Sequence, residues 1–326
     1  MIGHPVIRAW YERHQVPAGR PSIDDPHVQG LVDRIAPGAV PTDLGGSDSL
    51  NLRLGDSDVV LRVNKPFVSR RQIVAGQVLR RRLAAAGAAV AAPIIGPGGP
   101  VMQCGPFQAH LERYVPGLRP MIGAALFDSI GRFHHAASTI KQAPPRALVS
   151  TSVSTRTLQR WLGRNVAAGH PAFKQPGTAE ELSALITMLA RDRVPPDTLP
   201  GQLIHHDAHP DNIRQNAAGI PFYLDLGGVA DGPRIHDVAY ALAHALFAHQ
   251  DCTDPPDLAT YAWNQVPDLL TAYERGARSA LTAQEQAALL GYAAAVSILY
   301  DVCVWGHRRV GHIGRWLLEH PSAIPG

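Results

Sequence analysis

The stretch Ile204–Asp237, IHHDAHPDNIRQNAAGIPFYLDLGGVADGPRIHD, gathers the side chains of this chain that could do chemistry. His205-His206-Asp207 is followed after four residues by Asn212, and thirteen positions later by Asp225-Leu226-Gly227. A carboxylate on a loop, a neutral amide oxygen five positions on and a second carboxylate behind the apolar run Phe222-Tyr223-Leu224 form a set suited to phosphoryl transfer. That reaction needs in-line placement of the reactants and cancellation of charge on the phosphate oxygens more than covalent work. Asp207 is placed to orient an acceptor hydroxyl and take its proton. Asn212 and Asp225 supply oxygen ligands of the kind Mg²⁺ takes beside phosphate oxygens and water. Pro210 fixes a turn, so Asp207 and Asn212 share an irregular loop and not a helix.

Other chemistries fit these residues less well. His205, His206 and His209 could form a small metal cluster, and sixteen histidines in the chain raise the idea of a metal hydrolase. No Cys lies nearby and no helical H-x-x-x-H pair is present, so His205 reads better as a buried structural residue of the loop. Asp225 could be an ordinary turn carboxylate, but its place directly after an apolar run favours a site.

A chain of 326 residues can bury a large core, and two lobes or domains are expected. Hydrophobic content of 45% against 17% charged residues describes a globular protein. The formal net charge of +3 is small for this length and points to neither nucleic acid nor an anionic membrane as partner. Lysine is confined to Lys65, Lys141 and Lys174, so Arg carries nearly all the positive charge. Cys104, Cys252 and Cys303 lie far apart, which suits a reducing compartment better than a disulfide framework. The N-terminus has no apolar core of a signal peptide, and the apolar run Tyr292–Val304 is broken by Asp301. A cytoplasmic protein is expected.

The elements that must position the site follow from period and punctuation. Val6-Ile7 with Trp10-Tyr11 suggests a short amphipathic turn, and 27–35 a helix. Leu50–Leu54 alternates, Gly55-Asp56-Ser57-Asp58 turns, and Val59–Val63 follows as a second strand. The small polar loop before this hairpin, with Ser47 and Ser49, could fold its backbone over phosphates. Arg62, opposite in direction to Leu61 and Val63, could pair with those phosphates; Lys65 is the runner-up, but before Pro66 at the strand end it is expected to point to solvent. Residues 69–87 read as one helix ending at Gly87, 93–95 and 107–115 as strands, and Pro116-Gly117 as the end of the sheet. Helical patterns then cover 122–137, 154–168, 178–191, 235–248, 266–280, 283–307 and 313–318.

Taken together, GGSDSLN, VVLRV, VLRRRLAAAG, LERYVPG, IGRFHHAA, HHDAHPDN and LDLGGVADGPRIHDVAYAL resemble the aminoglycoside phosphotransferase family of small-molecule kinases, from about Thr42 onward. The resemblance implies an α+β, protein-kinase-like two-lobed fold: an N-terminal extension and nucleotide-binding lobe over 1–111, a hinge at 112–117 and a helical lobe over 118–326. It also implies ATP or GTP as phosphate donor, Mg²⁺ as cofactor and a small-molecule hydroxyl as acceptor. Residue by residue, Asp207 is like the catalytic base, Asn212 and Asp225 resemble the metal ligands, and Arg62 looks like the phosphate-binding cation. The backbone of Leu111, Glu112 and Tyr114 looks like the adenine-binding hinge, and Asp237 like the carboxylate supporting the catalytic loop. The chain departs from the family pattern in three places. His206 stands where a Gly is usual, Gly227 where a second acid is frequent, and the helix over 69–87 carries no Glu to orient the cation, only Gln72 and Gln77.

The interval from Asp225 to Asp237 leaves no room for a protein-kinase activation segment, so a small molecule is the expected acceptor. Beyond Gly232 nine acids face six arginines, too slight an excess to single out a polycationic aminoglycoside over a sugar, an amino alcohol or a less charged antibiotic. The missing helix Glu motivates an alternative, a nucleotide-binding pseudokinase with a regulatory role.

Overall fold

Pro26 opens the first helix, where its missing N–H costs nothing, and the Asp25 carboxylate accepts from the His27 N–H, so α1 spans Pro26–Ile35. The structure, a computed structural model, describes residues 20–46, 49–66, 68–141, 154–252, 257–303 and 311–324. The expected turn at Val6–Tyr11 lies outside them. The chain divides into two compact units, the first running to Gly117 and including Phe222–Leu226, the second holding Leu118–Pro221 and the chain from Gly227 on.

The first unit is built on an antiparallel sheet of β1 (Pro41–Asp43), β2 (Leu50–Leu54), β3 (Val59–Val63), β5 (Pro93–Ile94), β6 (Met102–Cys104) and β7 (Phe107–Arg113), in the order β1-β2-β3-β7-β5 with β6 also on β7. The hairpin strands fall where the alternation put them, because Leu50, Leu52, Leu54, Leu61 and Val63 must face one core. That core is closed by Val28, Leu31 and Val32 of α1 and by Ala109 and Leu111 of β7. Helix α2 (Arg70–Ala85) starts at a capping box in which Ser69 and Gln72 satisfy each other's backbone N–H groups. It buries Ile73, Leu79 and Leu83, and also Gln77 and Arg80. Short strand β4 (Ala89–Val90) pairs in parallel with β10 (Pro221–Tyr223), Phe222 opposite Ala89 and Tyr223 opposite Val90. Lys65 corrects the expectation of a solvent-facing side chain: it is 2% exposed. The Val68 N–H donates to the Lys65 carbonyl at 3.0 Å.

The second unit is mainly helical: α3 (Ala124–Ala137), α4 (Thr155–Ala167), α5 (Thr178–Asp192), α6 (Ile235–Cys252), α7 (Val266–Ala277), α8 (Ala283–Cys303) and α9 (His312–Glu319). An antiparallel ribbon of β8 (Gly201–Ile204) and β11 (Ala230–Pro233) and the short β9 (Ile213–Gln215) interrupt them. Helix α8 is long and apolar enough to cross a bilayer, yet 72% of that window is buried in the unit, as befits a core helix. Its last expected turns, past Cys303, lie outside the described residues.

Helices α3 and α7 touch through glycines. A Cβ on Gly131 would come 2.1 Å from the Tyr273 carbonyl oxygen, and one on Gly276 2.2 Å from that of Asp128. Both obstacles are backbone and cannot swing aside. Gly131→Ala is therefore expected to cost about 3 kcal/mol, read as a fall in the urea midpoint at unchanged slope. A midpoint equal to wild type would mean that the helices are not this close.

Candidate functional site

Strand β8 delivers the chain to His205, and the peptides that follow are held from below by a buried carboxylate. Asp237, in the first turn of α6 and 0% exposed, accepts from the His205 N–H at 2.7 Å and from the His206 N–H at 2.8 Å. His134 of α3 lies with Nε2 2.9 Å from the same carboxylate, and Tyr273 stands at its Nδ1, also 2.9 Å away. With the His134 proton on Nε2, Nδ1 is left to accept from the tyrosine hydroxyl. Burial pushes the Asp237 carboxyl up, but the His134 hydrogen bond outweighs it and holds it well below the carboxylate range. His205 is buried with its ring edge-on to Phe133, the centroids 5.4 Å apart.

His206 has φ +66°, in the left-handed region that a β-carbon disfavours, which is why a Gly is at ease there. Its ring lies 5.0 Å from that of His236. Burial lowers both imidazoles, His236 to about 3, so the pair packs uncharged. His205, His206 and His209 thus face different neighbours and do not converge as an imidazole metal cluster.

Asp207 comes next, with 35% of its side chain exposed. Its Oδ1 accepts from the Tyr240 hydroxyl at 2.6 Å and its Oδ2 from the Asn212 Nδ2 at 2.8 Å, with His209 Nε2 3.6 Å from Oδ1. Desolvation raises this carboxyl, but His209 and the Tyr240 hydroxyl reverse the effect and bring it down to about 2. The polar chain continues through the Tyr300 hydroxyl, 2.6 Å from Tyr240, to His244 Nε2 at 3.1 Å. Sequence reasoning missed Tyr240, Tyr300 and His244. Tyr240 could have been found, since it stands three positions after Asp237 on one helix and so shares its face. Tyr300 lies sixty positions from Tyr240 and has no local signal.

In the first unit, Asp225 follows β10 with φ +46° and receives Arg62 Nη2 on Oδ1 at 2.9 Å. Arg62 is on β3 with 13% of its side chain exposed, Asp225 with 43%. Ser47 lies outside the described residues. Ser49 is buried, and its carbonyl is taken by Arg20 Nε at 3.1 Å. Leu111 and Glu112 sit inside the sheet, paired with Leu61 and Val60 on one side and with Ile94 and Pro93 on the other. The Tyr114 N–H donates to the Asp58 carbonyl at 2.8 Å, and Arg53 lies over the Tyr114 ring, 4.4 Å from its centroid. The structure thus brings Asp207, Asn212, His205 and Asp237 together within one unit, and Arg62 and Asp225 within the other.

The donors suit a hard divalent cation. The Asn212 Nδ2 donates to the Asp207 carbonyl at 3.0 Å and to Asp207 Oδ2, and its backbone N–H donates to the His209 carbonyl at 2.9 Å. The amide orientation is thereby set and Oδ1 is turned away from them as a neutral oxygen ligand. Asp225 presents a half-exposed carboxylate. A neutral amide oxygen and a carboxylate are each a hard oxygen donor of the kind Mg²⁺ accepts.

A model of the phosphotransferase enzyme family matches residues 40–289. No curated protein matches the chain. Among solved structures, an amicoumacin kinase in complex with AMP-PNP, Ca²⁺ and Ami superposes with a TM-score of 0.65 at 15% identity, covering 93% of this chain and 95% of that one. A microcompartment-associated aminopropanol kinase gives 0.60 at 14%, covering 90% and 93%. The choline kinase LicA from Streptococcus pneumoniae gives 0.55 at 12%, covering 92% and 98%. At these identities the likeness is one of fold, an α+β fold of the protein-kinase kind. With the family model matching 250 of its 326 residues, the chain belongs to the phosphotransferase enzyme family and is a small-molecule kinase, a phosphotransferase with an alcohol group as acceptor.

Proposed function

We propose that this protein moves the γ-phosphate of ATP or GTP to the hydroxyl of a small molecule, an antibiotic, a sugar or an amino alcohol, in the cytoplasm. The observation that carries the reading is the Asp207 carboxylate, pinned by Asn212 and Tyr240 on a loop whose backbone hangs from Asp237. Held there, Asp207 orients the acceptor hydroxyl and receives its proton as the new oxygen–phosphorus bond forms and the bond to the departing nucleoside diphosphate breaks. A carboxyl brought down to about 2 is a weak base, so its first task is aim, and the proton arrives late, as a loose transition state permits. Asn212 and Asp225 would hold Mg²⁺, which when bound offsets the charge of the phosphate oxygens.

Arg62 is the proposed cation for the α- and β-phosphates, with the loop at Ser47 and Ser49 beside them. The purine is proposed to lie along Leu111, Glu112 and Tyr114. Because the Tyr114 N–H is committed to Asp58, the contacts there would come from carbonyl oxygens or from residues beyond Tyr114. Residues 1–111 would then serve the nucleotide, 112–117 the hinge and 118–326 the acceptor and catalytic loop. The likeness to an amicoumacin kinase and to an aminopropanol kinase supports an antibiotic or an amino alcohol as acceptor.

Calorimetry tests the reading without a known acceptor. Mg²⁺ with ATP, and separately with GTP, is expected to bind wild type and to lose at least roughly ten-fold in affinity with Asp225→Ala, the worth of one charge-assisted contact. Equal binding by the variant would remove Asp225 from the metal set. Absent binding by the folded wild type would defeat the nucleotide reading.

A further inference from the structure

The sequence raises a question that the first unit answers. The cation on β3 has no helix carboxylate to hold it, since α2 carries Arg80 and no acid. The charges have changed places. Arg80 Nη1 makes an ion pair with Glu112 Oε2, and the acid comes from β7. Strand register puts this carboxylate where Arg62 can feel it. On β3 and β7, Arg62 is opposite His110 and Val60 is opposite Glu112. Opposed and alternate residues share a face, so Arg62, His110 and Glu112 point to one side. The other side holds Leu61, Val63, Ala109 and Leu111 in the apolar core. Diagonal neighbours of this kind stand within about 7 Å at their β-carbons, well within the reach of an arginine.

His110 completes the arrangement. Asn64 Nδ2, a donor only, meets His110 Nδ1 at 3.1 Å, so the neutral imidazole carries its proton on Nε2, which faces Glu112 at 3.7 Å. Burial raises the Glu112 carboxyl, and Arg80, His110 and Arg62 together drive it far below the carboxylate range. Arg62 pairs with Asp225 and Arg80 with Glu112, two guanidiniums with two carboxylates. The carboxylates differ in exposure: the Glu112 side chain is 10% exposed and that of Asp225 43%. Attraction to the shielded one is screened least, so Glu112 is the partner able to hold Arg62 when Asp225 is engaged elsewhere.

We infer that Glu112 is a positioning residue that stands in for the missing helix carboxylate, setting Arg62 for the nucleotide phosphates while Arg80 clamps it to α2. The inference rests on the reading of Arg62 as the phosphate cation. It extends the role of Glu112 from a backbone contact at the purine to a side chain acting on the phosphates.

The test is calorimetry with MgATP and MgGTP on the full chain, with a melting curve for every variant. Glu112→Gln leaves Arg80 buried without its anion and can lose the fold. The double variant Glu112→Gln with Arg80→Gln removes both charges and keeps an amide pair in the same space. The double variant is expected to melt near wild type and to bind nucleotide roughly ten-fold more weakly, in step with Arg62→Gln. Wild-type affinity in the double variant, with weakened binding in Arg62→Gln, would overturn the inference and leave the nucleotide site standing. Wild-type affinity in Arg62→Gln would overturn the role of Arg62 and the inference with it.

Discussion

Asp207→Asn is expected to lower kcat by about 10²–10⁴-fold, the usual worth of a positioned general base, while nucleotide affinity stays within about two-fold. The geometry explains why so conservative a change is costly. Both oxygens of Asp207 accept, one from the Tyr240 hydroxyl and the other from the Asn212 Nδ2. An amide can offer one acceptor only, so its NH₂ would confront either the Tyr240 hydroxyl or the Asn212 amide. The variant therefore loses the proton acceptor and the aim together. Steady-state phosphorylation of an identified acceptor, or slow nucleotide hydrolysis without one, measures the effect alongside a melting curve. Turnover within ten-fold of wild type in a folded variant would sink the assignment. In the wild type the carboxyl lies at about 2, so an activity loss with a midpoint between pH 5 and 7 would have to come from another group.

Asp237→Asn should have the largest effect on stability, about 3–5 kcal/mol at neutral pH, as expected when one partner of a buried charged network is removed. Its carboxylate receives two backbone N–H groups and an imidazole while fully buried. An asparagine there satisfies one peptide and turns an NH₂ toward another donor, leaving the loop that carries Asp207 to move. Activity should fall with stability for that reason. The pH dependence has a definite sign. The folded carboxyl is depressed, so its contribution is fully present above the unfolded value of about 3.9 and is lost as pH falls through the folded value. Wild type should lose stability on acidification below about pH 4, and the variant should show a flatter profile in that window. Urea unfolding from pH 3 to 7 reads both. A loss under 1 kcal/mol at pH 7 would mean that the carboxylate does not carry the loop.

The order of chemical groups along the chain was legible without coordinates, because each rests on local rules. Strands at Leu50–Leu54 and Val59–Val63 follow from alternation, α2 from a helical pattern ending at Gly87, and the Asp207–Asn212 loop from Pro210. Among the described residues, seven helices of the second unit appear where 3.6-residue periodicity placed them, with ends shifted by a few residues. The family signature rests on the same short intervals.

What only the tertiary structure decided are the partners brought in from far along the chain. Arg62 meets Asp225 across 163 positions, and His134 meets Asp237 across 103. Lys65 is buried despite its place at a strand end, and Tyr240, Tyr300 and His244 extend the polar chain from Asp207. Glu112 alone shows the difference. In the sequence it is an acid at the start of a hinge, and in the fold its buried carboxylate pairs with Arg80 of α2. Local sequence determines which groups an element carries and which way they alternate, since sterics and hydrogen bonding act over a few residues. Which charge finally faces which is set by strand register and helix packing, and those come from burying an apolar core that the charged residues do not themselves specify.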